Sequence, residues 1–582
     1  MNTKPTALTR ESRSAALVGM AEQELDILVV GGGVTGAGIV LDAATRGLRT
    51  GIVEMRDWAS GTSQWSSKLV HGGLRYLYQL DFPLVAEALR ERGTLLTTTA
   101  PHLVTAQPFL WPLKQRLIER AYSAVGVGMY DALSVAGSHG KTVPLQKHYG
   151  HKGALELVPS LDPKSLIGGI RFYDARVDDA RLVIDLVRTA QGFGALAASR
   201  TQATKFITEG NKVVGAILRD LETGEDIEVR AKHVIGATGV WTEETESLGG
   251  SEGGLKVLAS KGIHIVVPKE RIEGKTGVFL RTEKSVLFII PWDRYWVIGT
   301  TDTKWHEQRD TPVATAEDID YVLGQANSVL QDKLTRDDII GTYAGLRPLL
   351  QPGTKGSGES TKVSREHTVT SPQPGLTVIA GGKLTTYRQM AEDAVDHVLG
   401  SKAKSTPSIT ATTPLVGAPG YEAARRTLPQ LSNRYRLTED QIKHLFSRYG
   451  SETADVLALT QEDSSLLTPL EHAGAYLRAE VAFAVRNEGA LHLEDVLLHR
   501  VRLDFEQPDR GMAAAPEIAD IMATELGWDE QTKEREIKNW NDQAQAILDA
   551  QETRTDGEAS ALREKAEEIV PVERLSDLTA NN

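Results

Sequence analysis

The strongest constraint on this chain is a glycine-rich segment near its start, residues 26–54, with the sequence DILVVGGGVTGAGIVLDAATRGLRTGIVE. A short apolar run ends at Gly31, and Gly31, Gly33 and Gly36 follow a G-x-G-x-x-G pattern before residues that suit a helix. In such a strand–turn–helix unit, one glycine makes the turn, another lets the backbone approach a pyrophosphate, and the third lets helix and strand pack closely. The helix N-terminus then faces the negative charge. The segment therefore predicts a dinucleotide-binding site.

A second apolar run, residues 50–53, ends at Glu54 and predicts the next strand of the same unit. A carboxylate at this position can hydrogen-bond the adenosine ribose of a dinucleotide. The glycine pattern alone would also suit an ordinary turn, but strand, helix and acid follow here in the order that nucleotide binding requires. The predicted cofactor contacts in this unit are Gly31, Gly33, Gly36 and Glu54.

Size, charge and cysteine content limit the remaining possibilities. A chain of 582 residues is too long for one hydrophobic core, so two or three domains are expected. Lys plus Arg number 65 against 78 Asp plus Glu, and the net charge of −13 argues against nucleic acid as a partner. Since the chain contains no cysteine, disulfides, thiol catalysis, iron–sulfur clusters and cysteine-ligated zinc are excluded. We predict no metal site, and any electrons must be carried by the dinucleotide.

The loop that follows Glu54, residues 57–80, is crowded with Gly, Ser and Thr. Loops of small residues near a cofactor let backbone amides and hydroxyls reach its polar atoms, whereas a plain surface loop would be richer in Pro, Glu and Lys. We therefore expect this loop to line the ligand site. Its predicted cofactor contacts are Thr62, Ser63, Ser67, Lys68, His71, Gly72 and Gly73.

Two later segments are predicted to approach the same dinucleotide. A strand candidate, residues 233–236, leads into small residues, and the pair Gly381-Gly382 precedes a helix that is expected to reach about Leu399. Glycines before a helix N-terminus form a cradle for an anion or a carbonyl. The cofactor domain is therefore expected to be discontinuous. The added cofactor contacts are Thr238, Gly239, Gly381, Gly382, Lys383, Leu384 and Thr385.

Composition along the chain gives the expected domain boundaries. Residues 401–419 are rich in Ser, Thr, Pro and Gly, which predicts a linker, and helical patterns follow. The expected units are a flexible leader (1–24), a cofactor domain (25–100, 171–245 and 340–400) with an inserted substrate-binding domain (101–170 and 246–339), the linker, an α-helical C-terminal domain (420–550) and a charged, partly disordered tail (551–582).

One segment bears on membrane contact. No apolar run reaches the roughly eighteen residues that a spanning helix requires. Residues 111–133 mix apolar side chains with Lys114, Arg116 and Arg120. Such a segment suits either an ordinary helix packed on its own domain or a helix that lies on an anionic bilayer.

Taken together, these stretches resemble the FAD-dependent, membrane-associated glycerol-3-phosphate dehydrogenases. The matching motifs lie between residues 26 and 388: VVGGGVTGAGI, SSKLVHGGLRYL, VDDARL, ATGVW, IGTTD, AGLRPL and GGKLTTYR. The resemblance implies an α/β fold with an FAD-binding domain like those of glutathione reductase and D-amino-acid oxidase, an antiparallel-sheet substrate domain and an all-α C-terminal domain. It also implies a cytoplasmic location with peripheral attachment to the inner face of the cell membrane, and it leaves monomer and homodimer both open.

The same resemblance implies an activity and a set of site residues. In that family, sn-glycerol 3-phosphate is oxidised at C2 to dihydroxyacetone phosphate, hydride passes to FAD, and electrons pass on to membrane quinone. Arginine suits the dianionic phosphate because its planar fork matches phosphate oxygens. His264 is implied as the base that takes the C2 hydroxyl proton, with His71 as second choice for that role. The implied substrate contacts are Arg75, Tyr76, His264, Thr301, Arg347, Arg365 and Lys383, of which Arg75, His264, Arg347 and Lys383 are the expected catalytic residues.

Three alternatives remain at this point. A glycerol-3-phosphate oxidase, which passes electrons to oxygen and yields hydrogen peroxide, would have the same substrate site. An amino-acid oxidase explains the arginines less well. A non-catalytic flavoprotein predicts loss of the substrate cations and of the base, yet Arg75, His264, Arg347 and Lys383 are all present.

Overall fold

A computed structural model describes residues 6–74, 81–114, 118–137, 142–250, 255–282, 286–351, 367–574 and 577–578. In these residues the strands are β1 Ile27–Val30, β2 Thr50–Val53, β3 Leu69–Val70, β4 Val104–Leu113, β5 Lys147–Gly150, β6 Gly168–Val177, β7 Leu196–Ala198, β8 Thr201–Glu209, β9 Lys212–Asp220, β10 Asp226–Arg230, β11 Val234–Gly236, β12 Val257–Pro268, β13 Gly277–Arg281, β14 Val286–Trp292, β15 Tyr295–Gly299, β16 Thr303–Lys304, β17 Gly341–Leu350, β18 His367–Gln373 and β19 Leu376–Gly381.

The α-helices of the same residues are Arg10–Glu22, Val34–Thr45, Phe82–Thr94, Ile118–Gly137, His151–Leu157, Asp179–Gly192, Thr242–Ser247, Ala316–Asn327, Tyr387–Leu399, Tyr421–Tyr435, Glu439–Tyr449, Thr453–Ala458, Arg478–Glu488, Leu493–Asp495, Leu503–Glu506, Ala515–Leu526, Glu530–Ala550 and Asp556–Arg563. Within the part of the chain that the structure describes, none of them combines the length and the apolar character needed to cross a membrane.

The nucleotide-binding sheet has the strand order β18-β19-β11-β1-β2-β7. All neighbours are parallel except β18, which is antiparallel to β19. β1 is buried along its whole length, as expected for a parallel strand covered on both faces. The helix Val34–Thr45 joins β1 to β2 and packs beside the helices Asp179–Gly192 and Tyr387–Leu399. The predicted strand–helix–strand unit is therefore present, and its sheet is completed by strands from far along the chain.

The second large sheet has ten strands in all. Its main path is β16-β12-β15-β14-β13-β4-β6-β3, with β17 paired to β12 and β5 paired to β6. Its pairings are antiparallel except that between β13 and β4. Two expected boundaries are corrected here. β17 pairs with β12 from Gly341 to Leu350, and β6 pairs with β4 from Gly168, so both strands belong to this sheet rather than to the cofactor domain.

The segment expected to be a flexible leader is instead folded from residue 6 onward. Thr9 and Ser12 form a capping box at the start of the helix Arg10–Glu22, which packs against β7 and β10. Arg13 is 7% exposed and donates to the backbone oxygens of Ser199 (2.8 Å) and Arg200 (3.0 Å). A long side chain buried in this way fixes the helix to the cofactor domain. β9 and β10 form an antiparallel hairpin whose turn contains residues 222–225.

The C-terminal residues are helical, as predicted, and have their own apolar cores. The region expected to be a charged, partly disordered tail contains the helix Asp556–Arg563. Beyond that helix, Glu568 forms an ion pair with Arg56 of the cofactor domain at 2.7 Å. The interpretation of residues 111–133 as one helix is also wrong at its start: Trp111 is 3% exposed in β4, and the helix begins at Ile118.

Candidate active site

A cavity of about 320 Å³ extends between the nucleotide-binding sheet and the ten-stranded sheet. It is lined by segments that are distant in sequence, and most of the predicted site residues meet there. Those that line it are Gly31, Gly33, Glu54, Thr62, Ser63, Ser67, His71, Thr238, Gly239, His264, Arg347, Gly381, Gly382, Lys383, Leu384 and Thr385. The predicted contacts Arg75, Tyr76 and Arg365 lie outside the described residues.

The glycines at the start of the cavity are required by close backbone contacts. Gly31 has φ +110°, and a Cβ there would lie 2.6 Å from the carbonyl oxygen of Ala237. A Cβ on Gly36 would lie 1.9 Å from the carbonyl oxygen of Gly31, so this glycine lets the helix pack on the turn and does not itself line the cavity. A Cβ on Gly33 would meet the hydroxyl of Ser63 at 3.0 Å. Turn, backbone access and helix packing are thus divided among the three, as the pattern predicted.

Glu54 lies at the same end of the cavity, at the end of β2. Its Oε2 accepts a hydrogen bond from the N–H of Gly32 (2.6 Å), and its Oε1 accepts one from the N–H of Arg56 (2.9 Å). Burial raises the pKa of the Glu54 carboxyl, and these two donors act in the opposite direction. Each carboxylate oxygen can accept more than one hydrogen bond, so Glu54 retains capacity for a ribose hydroxyl.

The loop after Glu54 connects the two sides of the cavity. The Ser63 hydroxyl accepts from the N–H of Val34 in the first turn of the nucleotide-binding helix (2.8 Å). Thr62 donates to the carbonyl oxygen of Leu346 in β17 (2.6 Å). Ser67 Oγ lies 2.8 Å from Nε2 of His264 in β12. The small polar residues of this loop therefore connect the nucleotide-binding helix with the ten-stranded sheet.

Three predicted cofactor contacts in this loop, Lys68, Gly72 and Gly73, are not among the residues that line the cavity. Lys68 is 2% exposed, and its ammonium forms an ion pair with the buried Asp179 at 2.7 Å because that carboxylate needs a counter-charge. Gly72 donates its N–H to the Tyr130 hydroxyl (2.8 Å), and Gly73 has φ +74°. These residues shape the loop and do not line the cavity.

His264 is a buried histidine in the centre of β12. Its ring stacks on Tyr343, with 4.7 Å between ring centroids. Burial lowers the pKa of the His264 imidazole well below its ordinary value, and the positive charges of Arg347 and Lys68 lower it further. The ring is therefore neutral near pH 7 and can accept a proton. Among the described residues its Nδ1 has no hydrogen-bond partner.

Arg347 extends over the same face of the sheet. It lies opposite Ser260 in the β12–β17 pairing, and a Cβ on Gly262 would be 2.4 Å from its Nη2. Nη1 donates to the carbonyl oxygen of Thr301 (3.1 Å), and Nη2 donates to Oγ1 of Thr300 (3.0 Å). The guanidinium is thus held on one side by the chain after β15, while its side chain lines the cavity.

Thr301, predicted as a substrate contact, is not among the residues that line the cavity. Its hydroxyl is buried and accepts from the N–H of Ile263 at 3.0 Å. The hydroxyl is therefore used inside the sheet, and the carbonyl oxygen positions Arg347.

Sequence reasoning missed the glycines that make room for these side chains. A Cβ on Gly299 would lie 2.2 Å from the His264 ring, and one on Gly345 would lie 2.5 Å from Cβ of Trp65. Gly262 lies opposite Gly345 in the β12–β17 pairing, and Gly299 lies opposite His264 in the β12–β15 pairing. Gly299 and Gly345 lie within the motifs IGTTD and AGLRPL, but the space that each glycine provides becomes evident only from strand pairing.

The third wall of the cavity is the turn after β19. Gly381 and Gly382 have φ +80° and +78°, and a Cβ on Gly382 would lie 2.4 Å from Sδ of Met390. Lys383 follows and precedes the short helical turn Leu384–Thr386. Thr385 Oγ1 accepts from the N–H of His71 at 3.0 Å, so this turn is joined to the loop after Glu54.

Comparisons with known proteins agree with this architecture. Residues 26–388 match the family described as FAD dependent oxidoreductase, and residues 408–533 match the C-terminal domain of alpha-glycerophosphate oxidase. The glycerol-3-phosphate dehydrogenase 2 of Mycobacterium tuberculosis is 48% identical over 563 residues, which cover 97% of this chain and 95% of that protein. The chain belongs to the FAD-dependent glycerol-3-phosphate dehydrogenase family.

Other members extend the comparison. The glycerol-3-phosphate dehydrogenase of Mycobacterium leprae is 48% identical over 564 residues, with 97% of this chain and 95% of that protein covered. The crystal structure of the glycerol-3-phosphate dehydrogenase from Bacillus halodurans complexed with FAD has a TM-score of 0.75 and 30% identity, and covers 92% of this chain and 98% of its own. The predicted family, fold class and FAD cofactor are confirmed.

The residues around the cavity fit FAD, the cofactor of a family member. Gly31 and Gly33 line the cavity before the helix Val34–Thr45, and because they have no side chains the backbone there stays open to the approach of a pyrophosphate. Glu54 would hold the adenosine ribose. The opposite end, between Gly382 and His264, would hold the flavin ring. A cavity that runs past all of these residues matches a cofactor bound in an extended form.

Proposed function

We propose that the protein oxidises sn-glycerol 3-phosphate at C2 to dihydroxyacetone phosphate, with FAD as hydride acceptor and membrane quinone as the next electron acceptor. The observation that carries the proposal is that a buried neutral imidazole, that of His264, and the guanidinium of Arg347 both line the FAD cavity. The relatives that cover nearly the whole chain carry the name of this activity.

Each chemical demand has a residue to meet it. When bound, FAD supplies the site that accepts the hydride from C2. Arg347 and Lys383 line the cavity and would bind the phosphate dianion, Arg347 through its planar fork of donors. His264 would accept the C2 hydroxyl proton, and Ser67 Oγ, which lies 2.8 Å from Nε2, fixes the ring. The stacked Tyr343 and the glycines Gly262 and Gly299 keep the imidazole and the guanidinium in place.

Replacing Arg347 tests the phosphate assignment. Arg347→Ala removes a charge-assisted contact worth roughly 1.5–3 kcal/mol, so we expect KM for glycerol 3-phosphate to rise by about tenfold to more than a hundredfold. Flavin should stay bound, because the glycine turn and Glu54, which would hold the adenosine end of FAD, are left in place. Steady-state kinetics and the flavin spectrum measure the two effects. Arg336→Ala, which removes an arginine paired with Asp320 on the surface, is the matched control. Unchanged KM in Arg347→Ala would contradict the assignment.

Quinone and oxygen are separated by reoxidation of the reduced enzyme. We expect glycerol 3-phosphate to bleach the flavin without oxygen, and a quinone analogue to restore the colour far faster than air does. Rapid reoxidation by air with formation of hydrogen peroxide would instead establish the oxidase alternative. Absence of bleaching would contradict both, since each starts with the same oxidation of substrate.

We also propose peripheral attachment to the inner face of the cell membrane, which would bring the enzyme to quinone. Exposed apolar side chains support it: Val135, near the end of the helix Ile118–Gly137, is 41% exposed, and Leu145 is 49% exposed. Sedimentation with anionic vesicles tests the proposal, with Val135→Asp expected to reduce binding. If the unaltered protein and Val135→Asp are recovered from the supernatant in equal amounts, the proposed membrane attachment is contradicted.

A further inference from the structure

A segment near the end of the chain, residues 564–574, crosses the cofactor domain beside the adenosine end of the FAD cavity. This C-terminal segment follows the helix Asp556–Arg563, contains no helix or strand, and lies beyond residues 408–533, which match the C-terminal family domain. Val570 in its middle is nevertheless only 7% exposed. An irregular segment that buries an apolar side chain in this way is packed against the surface that it crosses.

The first attachment of the C-terminal segment is an ion pair with Arg56. The Glu568 carboxylate lies 2.7 Å from the Arg56 guanidinium. Arg56 lines the FAD cavity, and its backbone N–H donates to Oε1 of Glu54. Burial acts to lower the pKa of Arg56, but the charge of Glu568, followed by that of Asp310, raises it above the ordinary value. Glu568 is thus the main counter-charge of an arginine beside the carboxylate that would hold the adenosine ribose.

The second attachment is a pair of hydrogen bonds between the side-chain amide of Gln202 and the backbone of Glu573. Nε2 of Gln202 donates to the carbonyl oxygen of Glu573 (2.5 Å), and Oε1 accepts from its N–H (3.1 Å). Gln202, in β8, is 1% exposed and lines the FAD cavity. The Glu573 carboxylate also pairs with Arg219 in β9. A buried amide that uses both its donor and its acceptor on one residue fixes the position of both partners.

Both attachments lie at the same end of the FAD cavity. The N–H of Thr201, which precedes Gln202, donates to the carbonyl oxygen of Glu54 (2.8 Å). The N–H of Arg200 donates to the carbonyl oxygen of Arg56 (3.0 Å). The start of β8 therefore lies beside the residues that follow β2. Through one short stretch of its own sequence, the C-terminal segment is bound to both of them.

We propose that the C-terminal segment retains FAD, with Glu568 and Glu573 as positioning residues that hold Arg56 and Gln202 in the wall around the adenosine end of the cofactor. Neither glutamate lines the FAD cavity, so each would act through the residue that it contacts. Release of the segment would take the main counter-charge from Arg56 and both hydrogen bonds from the buried amide of Gln202. The proposal concerns FAD alone and is independent of the substrate and of the electron acceptor.

Proteolysis tests whether FAD and the segment hold each other. Coupling between two binding events is reciprocal, so bound FAD should keep the segment attached. Lys565 and Arg574 lie within it and are exposed to trypsin. We expect cleavage of the full-length protein after these two residues to be slower with bound FAD than in the apoprotein, as measured from the fragment masses. Equal rates with and without FAD would overturn the proposal.

Glu568→Gln tests the first attachment, because it removes the charge and preserves the size of the side chain. Titration of the full-length apoprotein with FAD, followed by flavin fluorescence, gives the Kd. We expect the Kd to rise by about fivefold, the upper range for a partly exposed ion pair. Glu567→Gln removes the exposed carboxylate of the preceding residue and is the matched control, with an unchanged Kd.

Glu573→Pro tests the second attachment, because proline has no N–H to donate to Gln202. We expect its Kd for FAD to rise by roughly tenfold, within the usual range of coupling between sites. Glu573→Gln keeps the N–H and loses only the charge that faces Arg219, so its Kd should rise less. The melting temperature of each apoprotein shows whether the effect is on cofactor retention or on folding. An unchanged Kd in both Glu568→Gln and Glu573→Pro would overturn the proposal, and so would a rise in Kd that is fully accounted for by a less stable apoprotein.

Discussion

The charge state of the His264 imidazole depends on the residues around it. Burial, Arg347 and Lys68 all favour the neutral ring, so the pKa of this imidazole is lowered in the folded protein. At saturating substrate, we expect the rate of flavin reduction to stay constant from pH 8 to pH 6, because the base remains deprotonated over that range. Anaerobic stopped-flow measurement of the flavin absorbance gives this rate. A loss of rate with an apparent pKa near the ordinary value of about 6.5 would contradict the assignment.

His264→Gln gives the matching mutational result. Loss of a general base typically lowers the rate by roughly 10²–10⁴-fold, and the side chain of Gln can still form hydrogen bonds with the substrate. Flavin reduction in this variant should slow by that factor while substrate affinity changes little. The exposed His472→Gln is the control. An unchanged rate in His264→Gln would transfer the role of base to another group.

The nucleotide end of the cavity could be predicted from the sequence because its residues lie close together in one short segment of the chain. Gly31, Gly33 and Glu54 are marked by their spacing within one strand–helix–strand unit. The ion pair of Lys68 could not be predicted, since its partner Asp179 comes from a helix more than a hundred positions later. Gly262 and Gly299 were missed for the same reason: their role depends on which strands are neighbours.

Among the elements, the β9–β10 turn and the helix Glu530–Ala550 are joined through one histidine. Nε2 of His492 lies 2.9 Å from Glu222 in that turn, and Nδ1 lies 2.9 Å from Glu536 in the helix. Although burial acts to lower it, the two carboxylates raise the pKa of His492 to about 10. The histidine therefore stays charged at neutral pH.

Replacement of His492 should show a distinct pH dependence. A folded-state pKa above that of the unfolded chain gives stability that is complete below about pH 6.5 and is lost as the pH rises towards 10. His492→Gln should therefore lower the melting temperature most at pH 6 and least at pH 9.5, with a cost on the order of a few kcal/mol at the lower pH. Thermal denaturation at both values measures this. Equal destabilisation at pH 6 and pH 9.5 would contradict the ion-pair explanation.

For the whole molecule, buried ion pairs connect the cofactor domain with the C-terminal helices. Asp178 lies 2.9 Å from Arg502 and 3.2 Å from Arg448. Burial acts to raise the pKa of Asp178, but Arg502, Arg448 and Arg181 together hold it below the ordinary value. Its stabilising effect is present above about pH 4 and is lost as the pH falls through the folded-state pKa.

Asp178→Asn tests how strongly the two parts depend on each other. Asn preserves the N-cap of the helix Asp179–Gly192 but leaves buried arginines without a counter-charge, which costs roughly 3–5 kcal/mol. We expect flavin release and loss of helical signal to occur at clearly lower temperature than in the unaltered protein. Asp529→Asn, an exposed N-cap of the helix Glu530–Ala550, should change neither. Equal melting temperatures for the two variants would show that the buried pairs contribute little.

For the whole molecule, the sequence predicted the order of the domains better than it predicted their boundaries. The parallel unit, the second sheet and the helical C-terminal part follow from periodicity and turn signals. β17 was assigned to the wrong domain because its apolar pattern suits either sheet, and only pairing with β12 distinguishes them. The helix Arg10–Glu22 was missed because its burial depends on Arg13 contacting segments near Ser199.

The discontinuous sheet also determines when the protein can acquire its cofactor during synthesis. A nascent chain that ends before β11 already carries the glycine turn and Glu54, yet one edge of β1 is still unpaired. β19, which forms the far end of the site, is complete only after residue 381 has been synthesised. The buried Asp57, close in sequence to Glu54, forms its hydrogen bond with Arg500 only later still. Because synthesis proceeds from the N-terminus, we expect FAD capture to be a late event, and we expect chains that stop before Gly381 to leave the ribosome without the flavin.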